Sequence, residues 1–356
     1  MIRLDTYLQD YIEKKYGTKL SRSYIERLLM SGGVTYNNEI IKKKGFSFNP
    51  DKQVPLLDEE KVQQMIAVYS TGVRQDAEAD AWDASEKDIE LDERRVARAG
   101  DLKPSIIFES DDVLAVNKPP GVLSHPGRGD RGADSMVYQF IKYMRREHRY
   151  IPRAGLLHRL DKDTQGVLLF AKNMETYNSI KAQFQQRTLQ KYYVARCEFT
   201  ASLHPKLSKA IEYLRKASLP SLQKYASVPE LVKAVTMSQK PIVLDGYIGR
   251  KKGTPYMVYQ ADEREKSNLI GIKPCRSDIY IIAVNETEVD LLFIPHTGRT
   301  HQIRAQARFL GAPVKNDPMY GYSNTHTGTL GLTAVSVLFE LKGKVQQISL
   351  KISEIA

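Results

Sequence analysis

Apolar residues recur at helical spacing near the start of the chain. Leu4, Leu8, Ile12 and Tyr16 fall one turn apart, which predicts a helix over 3–16. Tyr24, Ile25, Leu28 and Leu29 repeat the pattern, with Ser21 as an N-cap and "SGG" as the stop. "VTYNNEII" then alternates around Asn37-Asn38, a pair that accepts the positive φ of a primed hairpin turn. The first 62 residues therefore read as a helix–helix–hairpin module. From 63 to 103 periodicity fades and acidic residues accumulate, and this stretch is expected to link two folded units.

Beyond 104 the period shortens to that of strands. "SIIFESDDVLAVN" gives two strands around Asp111-Asp112, and "GVLLFAK", "QKYYVARCEF", "DIYIIAVNETEVDLLFIPH" and "LTAVSVLFEL" give more. Helices are predicted near 134–149, over "METYNSIKAQFQQ", and over "RTHQIRAQARFLG" up to Gly311. An amphipathic helical insert is expected at about 200–240. Strands with interspersed helices and hairpins predict an α+β domain over 104–356, with a mixed, largely antiparallel sheet and peripheral helices.

Charge narrows the range of partners. The net charge of +11 is not uniform: residues 1–60 carry +1, residues 61–103 carry −3 and residues 104–356 carry +13. A basic excess in the largest segment suits a polyanion. Cys197 and Cys275 form no close pair in sequence, no apolar run is long enough to span a bilayer, and the first residues do not read as a signal peptide. The expectation is a cytoplasmic monomer with reduced thiols.

Four polar segments lie between apolar strands: "VNKPPGVLSHPG", "HRLDKDTQG", "KYYVA" and "HTGRTHQIR". A metal site would draw on His158, Asp161, Asp163 and His301, but their spacing matches no specific metal motif. A serine hydrolase would need a G-x-S-x-G elbow, which is missing. A single carboxylate, Asp161, flanked by arginines that keep it ionised and bind phosphate, fits best. Either Arg299 or Arg304 can serve as its partner, and Lys118 and Lys191 are open between phosphate contacts and solvated charges.

"GLLHRLDKDTQGVLLFAKN" resembles the signature of the RluA-type pseudouridine synthases. "LAVNKPPGVLSHP", "KYYVA" and "HTGRTHQIRAQARFLGAPVKNDPMYG" resemble the family's other motifs in the same order. Gln165 departs from the usual serine, and Asn316 stands where glycine is common. The resemblance implies isomerisation of uridine in structured RNA without cofactor or metal. Asp161 would be the nucleophile or acid/base, Tyr193 would stack on the uracil near the proton leaving C5, and Arg304 would pair with Asp161. Arg159 would fill the gap left by the flipped base, with Arg299 and Lys118 as further RNA contacts. Residues 1–62 resemble an S4-type RNA-binding domain, which implies RNA contacts at Arg3, Arg22, Arg27, Lys42, Lys43 and Lys44. Ribosomal RNA of the large subunit is the expected substrate, with transfer RNA second. A non-catalytic RNA-binding or ribosome-assembly protein on the same fold would share the charge but leave the acid, tyrosine and arginine set without a purpose.

Overall fold

The computed structural model describes residues 2–18, 20, 25, 28–29, 33–37, 39–41, 46–50, 53–70, 106–125, 135–144, 151–199, 202–215, 222–262, 269–322 and 328–355. The chain divides into two compact units, 1–89 and 90–356.

In the first unit, β1 (Ile2–Arg3) leads into α1 (Leu4–Tyr16), which Gly17 ends in the left-handed conformation. Strands β2 (Val34–Tyr36) and β3 (Glu39–Ile40) form the expected hairpin, with Asn37 at φ 53°. β4 (Ser47–Phe48) pairs with β1, β5 (Leu56–Leu57) pairs with β2, and α2 (Glu59–Ser70) follows. Leu4, Leu8, Ile12, Ile25, Leu28 and Leu29, picked out by their spacing, are all buried in one core with Phe48 and Val62. Because α2 runs to Ser70, the expected linker begins inside a helix. The rest of that stretch, like Arg22, Arg27 and Lys42–Lys44, lies outside the described residues.

The second unit is built on one ten-stranded sheet. Its strands are β6 (Ile106–Glu109), β7 (Val113–Lys118), β8 (Gln165–Ala171), β9 (Gln190–Glu198), β10 (Ile242–Lys251), β11 (Met257–Gln260), β12 (Leu269–Val284), β13 (Glu288–Pro295), β14 (Leu332–Leu341) and β15 (Lys344–Ser349). Their order is β11-β10-β12-β13-β9-β14-β8-β7-β6, with β15 on β14. Every pairing is antiparallel except β14–β8, so the sheet is mixed and largely antiparallel, as expected. That parallel contact is unusually close. Gly166 sits at φ +120°, and a Cβ there would lie 2.2 Å from the Ala334 carbonyl oxygen, so only glycine fits.

Helices α3 (Met136–Tyr143), α4 (Met174–Gln186), α5 (Pro205–Arg215), α6 (Val228–Ser238) and α7 (Gln302–Phe309) surround the sheet. The insert supplies α5 and α6. Its apolar spacing serves the core: Val228, Leu231, Val232 and Val235 pack with Tyr192, Val194, Ile282 and Leu292 of the sheet. The pairing of β10 and β11, with glycines at 246 and 249, has no counterpart in the sequence reading.

Candidate active site

Asp161 sits in the turn that feeds β8. Residues 156–160 run back along that strand: Leu157 N donates to Leu169 O at 3.1 Å, and Leu169 N donates to His158 Nε2 at 3.2 Å. Buried Ser124 holds Leu160 twice, donating to its carbonyl at 2.8 Å and accepting from its N–H at 2.9 Å. The turn closes where Thr164 N donates to Asp161 O at 3.1 Å. A half-buried Asp161 is thereby set on a rigid frame at a strand end.

Lys118 does not face solvent. Its ammonium donates to the carbonyls of Pro119 (2.8 Å), Val122 (2.6 Å) and Lys162 (2.8 Å), and Gly121 N also donates to Lys162 O at 3.0 Å. The side chain is fully buried, so the expected phosphate contact is corrected: Lys118 clamps the loop of Asp161 to the end of β7. Burial pushes its ammonium down to about 8, against the opposing charges of Asp163 and Asp161.

The ion pair expected between Arg304 and Asp161 is also corrected. Arg304, on α7, donates through Nε and Nη2 to the two carboxylate oxygens of Asp317, at 2.7 and 2.6 Å. Asp317 Oδ1 also accepts from the N–H groups of Met319 (2.9 Å) and Tyr320 (3.0 Å). The planar guanidinium matches a carboxylate already oriented by a backbone turn, so both partners are bound face to face and buried. Asp161 acts on Arg304 by charge alone. Burial works to lower the Arg304 pKa, and the bonds and charge of Asp317, with the charge of Asp161, outweigh it and raise it.

Several groups sense the Asp161 charge. Tyr193, on β9, is buried, and burial followed by Asp161 drives its phenol well above the ordinary tyrosine range. Burial also pushes the Tyr320 phenol up to about 12, with Asp161 a lesser cause. His301 precedes α7 at a left-handed φ of 54°, with Nδ1 3.1 Å from the Tyr320 hydroxyl. That hydroxyl also accepts from Met257 N at 2.9 Å. Burial lowers the His301 pKa, with Asp161 opposing and Arg159 assisting. The Arg304 guanidinium stands 5.1 Å from the centre of the Tyr320 ring.

Among the other expected residues, Arg159 is exposed beside this group, and Arg299 is half-buried with Nε donating to Pro274 O at 3.1 Å. Gln302 fixes the Arg299 loop, its Oε1 accepting from Thr297 Oγ1 (2.7 Å) and Arg299 N (3.1 Å). Arg3, in the first unit, donates to Asp5 at 2.9 and 3.1 Å. The sequence reading missed Asp317 and Tyr320 as site residues and gave His301 no part, although "NDPMYG" lies within the motif it quoted. Among the described residues no cluster of three or more His, Cys, Asp or Glu side chains is arranged to hold a metal ion.

A family model described as RNA pseudouridylate synthase matches residues 112–308. Ribosomal large subunit pseudouridine synthase C of Pasteurella multocida is 28% identical over 346 residues, covering 95% of this chain and 82% of that protein. An uncharacterized RNA pseudouridine synthase of Mycoplasma pneumoniae is 26% identical, covering 92% and 81%. Dual-specificity RNA pseudouridine synthase RluA of Vibrio vulnificus is 30% identical over 223 residues, covering 62% and 71%.

Proposed function

From the premise that this chain belongs to the RNA pseudouridylate synthase family, we propose that Asp161 is the residue that isomerises uridine and that structured ribosomal RNA of the large subunit is the substrate. The observation that carries the assignment is convergence: Tyr193 on β9, Tyr320 in the turn after Asp317, and His301 and Arg304 at the start of α7 each feel the charge of the Asp161 carboxylate. Tyr193 and Tyr320 hold their protons well above neutral pH, and Arg304 is a cation. Asp161 is therefore the side chain in this group with a carboxylate to offer, either to C1′ as a nucleophile or to the elimination that frees the uracil.

The reaction balances without any added group. The N1–C1′ bond breaks, the uracil turns, C5 bonds to C1′, the C5 proton leaves and N1 ends protonated. The ring of Tyr193 supports the turning base, and exposed Arg159 takes the space from which the nucleotide is flipped. Residues 1–62 are read as an S4-type RNA-binding module, and the whole as a cytoplasmic monomer. Among the described residues no helix is long and apolar enough to cross a membrane.

The test is tritium release from large-subunit ribosomal RNA carrying [5-³H]uridine. Wild type is expected to release tritium, and Asp161→Ala to fall by about three orders of magnitude or more, the scale of losing a covalent or acid/base group. Full activity in Asp161→Ala would remove Asp161 from the chemistry. Release from transfer RNA alone would reassign the substrate, and binding without release from any RNA would favour a non-catalytic RNA-binding protein.

A further inference from the structure

The hairpin formed by β10 and β11 takes no part in the chemistry above, yet it is joined to the residues around Asp161. Its strands pair from Tyr247–Gln260 to Arg250–Met257. The chain reverses at 251–256, where Lys251 N donates to Tyr256 O at 2.9 Å and Thr254 N donates to Lys251 O at 3.1 Å. Arg250, Lys251 and Lys252 follow one another at this tip, all exposed. Among the described residues, Arg250 and Lys251 form no ion pair. Adjacent like charges repel, and among the described residues no carboxylate pairs with these two, which leaves them available to an outside anion.

The tip also carries an aromatic ring. Tyr256 is 40% exposed. Its other side meets the ring of Tyr320 edge-on, with centroids 6.0 Å apart and planes at 87°. The next residue, Met257, donates its N–H to the Tyr320 hydroxyl, which in turn bonds His301. The tip end of the hairpin is thus hydrogen-bonded to Tyr320 and through it to His301, and its cations and exposed ring stand at the rim of the site.

We infer that this hairpin tip grips the RNA strand beside the target nucleotide, with Arg250 and Lys251 on phosphates and Tyr256 stacked on a neighbouring base. Cations interleaved with an exposed aromatic suit an unpaired strand, since backbone charge and base faces are what any sequence presents. The inference rests on the reading of the chain as an RNA pseudouridine synthase and specifies which surface holds the substrate.

The test uses the full chain and an unmodified large-subunit ribosomal RNA transcript carrying [5-³H]uridine. Affinity is measured by filter binding across a salt series for wild type, Arg250→Glu/Lys251→Glu, Tyr256→Ala, and a control of equal charge change, Lys344→Glu/Lys351→Glu, at exposed positions elsewhere on the unit. The hairpin charge variant is expected to bind roughly ten-fold or more weakly at 0.1 M salt, with the slope of log affinity against log salt shallower by about 1–2. Tyr256→Ala is expected to lose about five-fold or more through the missing stack. Circular dichroism and melting temperature check that the variants fold. Wild-type affinity and slope in both hairpin variants would overturn the inference, as would an equal loss in the control. Tritium release by wild type, followed in parallel, separates the two readings: release with unaltered hairpin-variant affinity sinks the hairpin alone, whereas absence of release counts against the enzymatic assignment itself.

Discussion

Arg304 and Asp317 form a buried ion pair whose stability lies in its completeness. Each carboxylate oxygen of Asp317 takes a guanidinium bond, and two backbone N–H groups further hold its Oδ1. Such a pair is costly to break, because removing one partner strands a charge away from water. Arg304→Met is therefore expected to destabilise the protein by about 3–5 kcal/mol, seen as a melting temperature roughly 10 °C lower, and to abolish tritium release. Asp317→Asn keeps an acceptor for Met319 and Tyr320 but leaves the buried guanidinium without its counter-charge, so it is expected to lose both activity and stability. Equal melting temperatures for wild type and Arg304→Met would show that the pair is not sustained in solution. The sequence reading paired Arg304 with Asp161 and weighed Arg299 as the alternative cation, and it passed over Asp317, which lies like Asp161 in a polar loop after an apolar run. Two-point bonding made the choice: Asp317 is oriented by its own turn and presents both oxygens to α7.

At the scale of elements, the site depends on how the end of β7 holds the loop entering β8. Lys118 tethers three carbonyls there, and burial lowers its pKa from the ordinary lysine value to about 8. The unfolded chain then binds more protons than the folded one between about pH 8 and 10.5, so this group makes stability rise with pH across that window, and the penalty for the buried charge is fully present below pH 8. Tyrosines such as Tyr193, with folded pKa values raised, act in the opposite direction above pH 10. Urea unfolding at pH 8 and pH 9.5 is thus expected to give a steeper rise for wild type than for Lys118→Met, which has no ammonium to discharge. Lys118→Met should also lower the rate at saturating RNA more than the affinity, since it loosens Asp161 and touches no substrate. A pH dependence identical in the two proteins would refute the clamp. Strand positions here were legible because β7, β8 and β9 are short, largely apolar runs, buried over most of their length and bounded by polar turns. The hairpin of β10 and β11 was not, because Gly246 and Gly249 interrupt the alternation where close backbone approach demands them: a Cβ on Gly246 would lie 2.4 Å from the Gln260 carbonyl oxygen. A cation in a motif likewise does not reveal whether it meets water or a cage of carbonyls, and Lys118 meets the cage.

For the whole molecule, charge is unevenly spread along the chain. Residues 104–356 carry +13, whereas residues 1–60 are nearly neutral at +1 although they hold Arg3, Arg22, Arg27 and Lys42–Lys44. A nearly neutral module adds little long-range attraction, so any contribution to RNA binding has to come from local contacts made once the catalytic unit has engaged. In a tethered pair the second contact is intramolecular, and its effective concentration multiplies the affinity of the first. The effect then belongs in the dissociation constant and its salt dependence, while the rate at saturating RNA is expected to stay as it was. Arg22→Glu/Arg27→Glu/Lys43→Glu in the full chain is accordingly expected to weaken binding to large-subunit ribosomal RNA by about ten-fold at 0.1 M salt and to flatten the salt slope, with tritium release at saturation preserved. Unchanged affinity would mean that the first unit contacts something other than this RNA. A loss of rate at saturation would mean that it helps to present the uridine, and specificity would then have to be sought in both units together.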